Sequence, residues 1–286
     1  NTAYSYDNIV LTPKYSEIES RSKLDTSVEF LGKKFKSVAI PANMKCTIDF
    51  RKARELSQFG YFYVLHRFYD YDDIYDWVKD GQDLKTISIS VGVNEKDYEL
   101  VNDLFVNKLR VDYITIDVAH GHHILVKKMI EHIKNHNFKN SAKVIAGNIG
   151  TIQAARDLGS WGADAVKVGL SMGKSCTTYN CTGVGTPMFS TVANLSYLNV
   201  PVIADGQIRE VGDVCKALVA GADMVMIGSE FAKCKDSPAK TIENKKEFYG
   251  SASSTNKGHN GYVEGKIVHL DMRYESYQEY IDRINQ

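Results

Sequence analysis

The stretch PVIADGQIREVGDVCKALVAGADMVMIGS, residues 201–229, decides the fold because it holds two short apolar runs joined by one amphipathic helical run. The runs PVIA and MVMIG have the length and composition of buried strands, and each ends at a glycine or a polar residue. Two buried strands joined by a helical crossover lie parallel in one sheet, with helices covering its faces. The stretch therefore predicts one β-α-β unit of an α/β protein.

The same alternation repeats along the rest of the chain. Amphipathic helical stretches such as DYELVNDLFVNKL (97–109), HILVKKMIEHIKNH (123–136) and TIQAARDLGSWG (151–162) separate most of the strands. The eight strands read from the sequence are VAIPAN (38–43), YFYVLHR (61–67), TISISVGV (86–93), YITIDVAH (113–120), KVIAGNIG (143–150), DAVKVGL (164–170), PVIADGQ (201–207) and MVMIGS (224–229).

Eight strands with helical crossovers in 286 residues predict an α/β fold, a closed (β/α)8 TIM barrel formed by residues 1–286 as a single domain. An open doubly wound sheet is the alternative. The first strand is not followed by a GxGxxG turn, which disfavours that alternative.

Composition limits the partners of the chain. Lys and Arg together number 35, as do Asp and Glu, so no overall basic field favours nucleic acid. The longest apolar runs fall short of the roughly 20 residues that span a bilayer, and no signal-like stretch opens the sequence, so we expect no membrane partner. Five cysteines without CxxC pairs favour free thiols, which predicts a cytoplasmic location.

A barrel predicts the position of the active site, because functional residues of this fold lie at the carboxyl ends of the strands. Polar residues and glycines gather at those ends. They are Asn43, His66, Arg67, Gly92, Asp117, His120, Gly147, Asn148, Gly169, Asp205, Gly206, Gly228 and Ser229.

A cysteine follows the sixth strand in the polar loop GKSCTTYNCTGVGTP, residues 173–187. A thiolate is nucleophilic when nearby donors or cations lower its pKa, and Lys174, the loop amides and the Ser and Thr hydroxyls are candidates for that role. The sequence thus predicts Cys176 as a nucleophile held over the barrel mouth by a mobile loop. Cys181 is the competing thiol, and a loop cysteine without a chemical role is the alternative.

The ends of the seventh and eighth strands are the usual phosphate-binding position in such barrels, through backbone N–H groups. Gly206 and Gly228 suit this role because a side chain would keep an oxyanion away from the amides. Ordinary turn glycines are the alternative. Asp205 is expected to accept hydrogen bonds from a ribose hydroxyl pair, or to cap the following helix.

Two histidine-containing motifs leave alternatives open. His66 and Arg67 form either a substrate clamp or a buried histidine beside a salt-bridged arginine. The string DVAHGHH (117–123) lacks a spacing that places three ligands on one helical face, so we expect no metal there. Asp117, which ends its strand, is the stronger functional candidate.

Several motifs together resemble one family. They are KVG (167–169), GKSCTT (173–178), TGVGTP (182–187), residues 204–229, YGSAS (249–253) and VEGK (263–266), with PANM, HRF and DVAHGH in support. Over nearly the whole chain the sequence is similar to the IMP dehydrogenase / GMP reductase barrels. It resembles the short bacterial reductase branch, because a bare helix and loop separate the second and third strands where the dehydrogenases usually carry a regulatory insertion.

The resemblance implies a chemistry in two steps. Cys176 as thiolate is expected to attack C2 of the guanine of GMP, ammonia leaves, and NADPH reduces the resulting thioimidate to IMP. It also implies that Thr178 and Glu264 move protons around the leaving amine, with Asp117 nearby. Arg67 should act through its charge, since a guanidinium hardly gives up a proton.

The resemblance also implies the binding residues. The expected substrate residues are Asp205, Gly206, Gln207, Gly228, Ser229, Ser251, Ala252, Ser253 and Gly265. The expected cofactor residues are Asp117, Val118, Ala119, Leu170, Ser171, Phe68, Ser20 and Arg21. The last two would reach the adenosine end of the cofactor from a neighbouring subunit of a homotetramer.

Three departures from the family pattern and three rival functions remain open. Ser171-Met172 replaces the Gly-Pro that is usual in the family, and this leaves a K+ site near Gly173 and Cys176 undecided. Gln207 replaces a glycine of the family pattern. Gly261 occupies a position where the family often has a basic residue. The rivals are an inosine monophosphate dehydrogenase without its insertion, an FMN-dependent barrel, and a purine-nucleotide-binding barrel without activity. A polar stretch over residues 247–266 predicts a C-terminal flap, followed by a last helix around residues 274–284.

Overall fold

The computed structural model describes residues 2–136, 142–170, 178–250 and 266–286. The strands are β1 Val28–Phe30, β2 Lys33–Phe35, β3 Ala39–Pro41, β4 Ser88–Val91, β5 Tyr113–Asp117, β6 Lys143–Ile149, β7 Ala165–Val168, β8 Val202–Asp205, β9 Met224–Ile227, β10 Thr241–Ile242, β11 Lys245–Phe248 and β12 Val268–Asp271. The helices are α1 Phe50–Phe59, α2 Tyr71–Asp80, α3 Glu95–Val106, α4 Ile124–Asn135, α5 Ile152–Ser160, α6 Thr178–Thr182, α7 Met188–Leu195, α8 Val211–Val219, α9 Ser229–Ala232 and α10 Tyr277–Asn285.

Seven parallel strands form the central sheet in the order β3-β9-β8-β7-β6-β5-β4. From β4 to β9, each strand pairs with the next one along the chain, and a helix lies between them in sequence. The first strand, β3, pairs with the last, β9, so the sheet curls back on itself. The predicted (β/α)8 barrel is confirmed, as are the predicted helices that became α3, α4, α5 and α10.

The predicted second strand, residues 61–67, is not a regular strand. Its backbone extends beside β4, where the Leu65 N–H donates to the Ser88 carbonyl at 3.1 Å. Tyr63 and Leu65 pack into the cluster under the outer helices, whereas Phe62 and Val64 pack into the barrel interior. This alternation is that of a strand. The segment therefore fills the wall between β4 and β3, although it makes too few ladder bonds to be a strand.

The interior cluster shows that the wall closes around one core. It takes buried side chains from seven wall segments: Ile40, Phe62, Val64, Tyr113, Ile145, Ala165, Ile203, Met224 and Met226. The β1–β2 hairpin covers the amino ends of the strands, where the rings of Phe30 and Phe35 meet the edge of Phe62 at centroid distances of 5.4 and 5.1 Å. The hairpin thus plugs one end of the barrel.

The helices form where the sequence supplies a cap and an apolar face. Helix α5 starts at Thr151, whose hydroxyl accepts from the Ala154 N–H at 3.2 Å, and it buries Ala154, Ala155 and Leu158 against the sheet. Helix α1 ends at Gly60, where φ of +81° suits a glycine. Among the described residues no helix is long and apolar enough to span a membrane.

A small antiparallel sheet, β10-β11-β12, follows the barrel. The sequence reading did not predict this sheet. Strand β11 leads into residues 251–265, the predicted flap, which lie outside the described residues, and β12 follows them. Helix α10 then packs against the barrel, with Tyr277, Tyr280 and Ile281 buried.

Candidate active site

A buried lysine stands at the centre of the barrel mouth. On β7, Ala165 faces the interior, so Lys167 two residues later faces the same way at the carboxyl end. The same parity directs Asp117 of β5 and Asp205 of β8 inward. The Lys167 ammonium lies 2.7 Å from Asp205 Oδ2 and 3.1 Å from Asp117 Oδ1, and the lysine is 3% exposed.

Asn148, at the end of β6, completes this group. Its side-chain amide donates to Asp205 Oδ2 at 2.9 Å and to the Gly169 carbonyl at 2.8 Å, while its Oδ1 accepts from the Lys167 ammonium. We call Lys167, Asp117, Asn148 and Asp205 the mouth cluster. The contacts from Asn148 and Lys167 to Asp205 both use the same carboxylate oxygen, Oδ2.

The charge of Lys167 is set by two opposing effects. Burial lowers the pKa of the ammonium, but the carboxylates of Asp205 and Asp117 outweigh burial and raise the pKa of Lys167 above its ordinary value. The lysine therefore stays protonated throughout the neutral range and compensates two carboxylates at once.

Arg67 extends the cluster at its rim. Its Nε lies 3.9 Å from Asp117 Oδ2, which is an ion-pair distance beyond hydrogen-bond range, and the side chain is 29% exposed. The guanidinium lies over the ring of Phe68, with 4.9 Å from Cζ to the centroid. Arg67 thus places a permanent positive charge beside Asp117, as its salt-bridge interpretation predicted.

His66 is the buried partner of that motif. Its Nδ1 accepts from the Phe68 N–H at 3.1 Å, and its ring stacks on Tyr69 with centroids 4.3 Å apart. Burial, together with the nearby charge of Lys45, lowers the pKa of His66 to about 3. The imidazole is therefore neutral at physiological pH, and a clamp role for the motif remains a prediction.

Two glycines allow the strand ends to approach this closely. Gly169 has φ of +144°, and a Cβ there would lie 1.9 Å from the Asp205 carbonyl oxygen. At Gly147 a Cβ would lie 2.5 Å from the Lys167 carbonyl oxygen. Any side chain at either position would push the carboxyl ends of neighbouring strands apart.

The two turns predicted to bind phosphate follow the adjacent strands β8 and β9. Gly206 and Gln207 both have positive φ, +124° and +60°, and Gln207 Oε1 is buried without a hydrogen-bond partner in the described part of the chain. A glutamine in the left-handed region is uncommon. Gly228 and Ser229 form the second turn, where α9 begins. Phosphate binding by these turns stays a prediction.

The predicted cofactor residues fall into two groups. Val118 and Ala119 directly follow Asp117 at the end of β5, Leu170 follows β7, and the ring of Phe68 lies under the guanidinium of Arg67. Ser20 precedes an exposed 3-10 helix, Arg21–Lys23, and its hydroxyl contacts that of Ser22 at 2.8 Å. The structure describes one chain, in which these two residues have local contacts.

Several predicted residues lie outside the described residues: Ser171, Gly173, Cys176, Ser251, Ala252, Ser253, Glu264 and Gly265. Thr178 is the first residue of α6, and its side chain is not among the described ones.

The other cysteines of the chain differ in burial. Burial raises the pKa of Cys46 and Cys234 to about 12, so both stay protonated at neutral pH. Cys181 and Cys215 are exposed.

The histidine string DVAHGHH runs from the end of β5 to the start of α4. His122 pairs with Asp157, with 2.8 Å between Nε2 and Oδ2. Within residues 2–136, 142–170, 178–250 and 266–286, no group of three or more His, Cys, Asp or Glu side chains is arranged to hold a metal ion.

Sequence reasoning assigned no role to Lys167 and none to the side chain of Asn148. One signal for the lysine was available, since a single charged residue interrupts the apolar strand DAVKVGL at a position of inward parity. Such a residue needs a buried partner of opposite charge. Its partners, Asp117 and Asp205, are remote in sequence and are joined by the fold.

The fold and the mouth define the class of protein, a (β/α)8 barrel whose strand ends hold a buried network of charged side chains, as in barrel enzymes. Residues 3–279 match the IMP dehydrogenase / GMP reductase domain. The chain therefore belongs to the IMP dehydrogenase / GMP reductase family.

Three relatives show the degree of similarity. A GMP reductase of Acidovorax ebreus is 47% identical over 273 residues, which cover 93% of this chain and 83% of that protein. A GMP reductase of Oceanobacillus iheyensis is 45% identical over 276 residues, covering 94% and 84%. One of Mesoplasma florum is 46% identical over 279 residues, covering 95% and 86%.

Proposed function

We propose that this chain is a GMP reductase, which converts GMP, NADPH and two protons into IMP, NADP+ and ammonium. The observation that carries the proposal is the similarity to relatives of that name, at 45 to 47% identity across more than nine-tenths of the chain. The mouth cluster adds support, because its carboxylates suit a ligand rich in hydroxyls and amines.

The substrate is proposed to bind across the mouth by its ribose 5′-phosphate. Asp205 offers Oδ1 to the ribose hydroxyls, while its Oδ2 is held by Lys167 and Asn148. The turns at Gly206-Gln207 and Gly228-Ser229 offer backbone N–H groups to the phosphate. The predicted contacts with the base come from Ser251, Ala252, Ser253 and Gly265.

The chemistry begins with Cys176. Its thiolate forms a bond to C2 of the guanine, the bond from C2 to the amino group breaks, and ammonia leaves with a proton that Thr178 and Glu264 help to deliver. Bound NADPH would supply the hydride that C2 receives in the second step. The C2–S bond then breaks, and its electron pair returns to the sulfur as thiolate.

The side chains beside the cluster fit a nicotinamide cofactor. Val118 and Leu170 are half-buried and Ala119 is exposed, so they offer apolar surface at the ends of β5 and β7 to a flat ring. Arg67 adds a cation at the same rim. Ser20 and Arg21 are assigned to a neighbouring subunit of a homotetramer, since their segment also exposes Val10 and Tyr15, each at 90%. A K+ site near Gly173 and Cys176 remains a prediction.

An anaerobic assay tests the proposal. The protein is mixed with GMP and NADPH, and separately with IMP and NAD, and NADPH absorbance, IMP and ammonia are followed. We expect NADPH loss with equal amounts of IMP and ammonia in the first mixture. Cys176→Ala should abolish this turnover and keep GMP binding, whereas the matched variant Cys181→Ala should retain turnover.

Each rival function predicts a different observation on the purified protein or in that assay. Turnover in the mixture of IMP and NAD, with none in the mixture of GMP and NADPH, identifies a dehydrogenase without its insertion. A yellow purified protein that releases FMN identifies a flavin-dependent barrel. GMP binding without turnover in either mixture identifies a nucleotide-binding barrel without activity.

A further inference from the structure

Lys167 has more contacts with the mouth than any role assigned so far explains. It is 3% exposed, and its ammonium contacts two carboxylates and one amide oxygen that come from three other strands. These are Asp117 of β5, Asn148 of β6 and Asp205 of β8.

We propose that Lys167 is a positioning residue that holds the ribose-binding carboxylate of Asp205 and the cofactor-side carboxylate of Asp117 in one fixed arrangement. This inference rests on the proposed function, because it assigns the ribose of GMP to Asp205. The lysine acts through the two carboxylates and touches neither substrate nor cofactor.

The charges make the arrangement dependent on the lysine. The ammonium is the cation that lies close to both carboxylates, at 2.7 Å from Asp205 and 3.1 Å from Asp117, whereas Arg67 lies 3.9 Å from Asp117 alone. Without the ammonium, like charges would repel each other and each carboxylate would turn toward water. Asp205 would then lose its fixed orientation, although Asn148 would still donate to it at 2.9 Å.

The orientation matters because a carboxylate recognises a hydroxyl pair by direction. Lys167 and Asn148 both hold Oδ2 of Asp205, which fixes the plane of the carboxylate and directs Oδ1 to the ligand. On the other side, Lys167 holds Oδ1 of Asp117, whose Oδ2 faces Arg67. A binding group must be held within about 0.5 Å to act fully, and the lysine contacts two such groups at once.

The experiment compares GMP with 2′,3′-dideoxy-GMP, which lacks the hydroxyls that Asp205 would bind. Dissociation constants for both nucleotides are measured by calorimetry, with kcat and KM where turnover occurs, for wild type, Lys167→Met, Lys167→Arg and Lys52→Met. Lys52 of helix α1 is the matched control. It is 0% exposed and also pairs with two carboxylates, those of Glu55 on the same helix and of Asp236 after α9.

We expect wild type and Lys52→Met to prefer GMP over the dideoxy nucleotide by the same factor. In Lys167→Met the preference should fall at least about tenfold, through weaker GMP binding, while dideoxy-GMP binding changes little. At saturating GMP, kcat should also fall, and Lys167→Met with Asp117→Asn should be clearly non-additive. Lys167→Arg should restore part of the preference.

An unchanged preference in folded Lys167→Met would overturn the inference, even if overall activity fell, because a merely structural role lowers binding of both nucleotides alike. If Lys167→Met does not fold, Lys167→Arg decides. A preference for GMP that differs from that of wild type then supports the inference, and an unchanged preference overturns it. GMP binding without turnover in wild type contradicts the proposed function and leaves the preference measurable. Wild type that binds GMP no better than dideoxy-GMP overturns the inference directly.

Discussion

Two buried lysines of this chain share one local chemistry and differ in their surroundings. Lys167 lies at the barrel mouth between Asp205 and Asp117 and is 3% exposed. Lys52, on α1, is 0% exposed and lies between Glu55, at 2.9 Å, and Asp236. The partners of Lys167 are at the ends of rigid strands, whereas Lys52 joins a helix to the loop after α9.

The positions of the two lysines give their similar ion pairs different roles. The Lys52 ammonium also lies 4.6 Å from the ring centroid of Tyr277 on α10, so it links three segments that are far apart in the chain. Its carboxylates keep a quarter to a third of their side-chain surface in water. The carboxylates that pair with Lys167 lie instead at the carboxyl ends of β5 and β8, the end at which barrel enzymes carry their active sites. We therefore expect loss of Lys52 to affect stability, and disturbance of the Lys167 region to affect activity.

Gly169→Ala disturbs the Lys167 region without changing a charge. The new Cβ would meet the Asp205 carbonyl oxygen at 1.9 Å, so the ends of β7 and β8 must separate. We expect kcat/KM for the proposed reaction to fall by at least about a hundredfold, since a displacement near 1 Å has an effect of that order. Steady-state kinetics measure it.

The control is Gly212→Ala in α8, where a Cβ meets nothing within 4 Å. Its kcat/KM should stay within about twofold of wild type, because helix propensity favours alanine and no strand end moves. A small effect of Gly169→Ala, similar to that of the control, would show that the mouth tolerates displacement.

Lys52→Met tests the other half of the comparison. We expect the free energy of unfolding to fall by about 2 to 3 kcal/mol, less than for a fully buried pair, because Glu55 and Asp236 both reach water. Urea unfolding measures the loss. KM and kcat of the folded variant should match wild type, and a raised KM for GMP would place Lys52 in the function of the mouth.

We expect His66 to make the stability of the folded chain depend on pH in the acidic range. The pKa of His66 is lowered to about 3 in the folded chain, below its ordinary value of 6.5. The unfolded chain therefore binds the extra proton first, and stability falls as the pH drops from about 6.5 toward 3, by at most about 1.4 kcal/mol per pH unit.

Urea unfolding of wild type and His66→Gln at pH 6.5, 5.5 and 4.5 checks this contribution of His66. The difference in the free energy of unfolding between the two proteins should shrink as the pH falls. A constant difference would mean that His66 is not protonated preferentially in the unfolded chain.

Among the effects expected for Gly169→Ala, Lys52→Met, His66→Gln and Arg67→Met, that of Arg67→Met should be the smallest. Its ion pair with Asp117 spans 3.9 Å and is 29% exposed on the arginine side, so its contribution should be about 1 kcal/mol or less. We expect kcat/KM to fall by no more than about fivefold, with Arg67→Lys closer to wild type. A fall of several hundredfold would indicate that Arg67 contacts the reacting groups.

The barrel could be predicted from the sequence because buried parallel strands leave short apolar runs at regular spacing, as in residues 201–229. The two hairpins could not. They turn at Leu31-Gly32 and Glu243-Asn244, all four with positive φ, whereas the usual signal for such a turn is Asn-Gly. Residues 61–67 have the composition of a strand, but their ladder bonds depend on neighbours that no local pattern reveals.

The site was predictable at the level of strand ends and not at the level of partners. Asp117 and Asp205 were identified because each ends a strand of a barrel. Their common partner, Lys167, was missed because its position between them depends on the parity of three strands and on the absence of side chains at Gly147 and Gly169. The sequence shows glycines there, but only the packing shows what they allow.

The proposed reaction requires that Cys176 bonds to the purine during turnover. The direct measurement is mass spectrometry of the intact protein, acid-quenched while it turns over GMP with limiting NADPH, followed by peptide mapping. We expect a covalent adduct with the mass of GMP less ammonia on the peptide that contains Cys176, and none in Cys176→Ala. Steady production of IMP and ammonia with no adduct on that peptide at any quench time would contradict it.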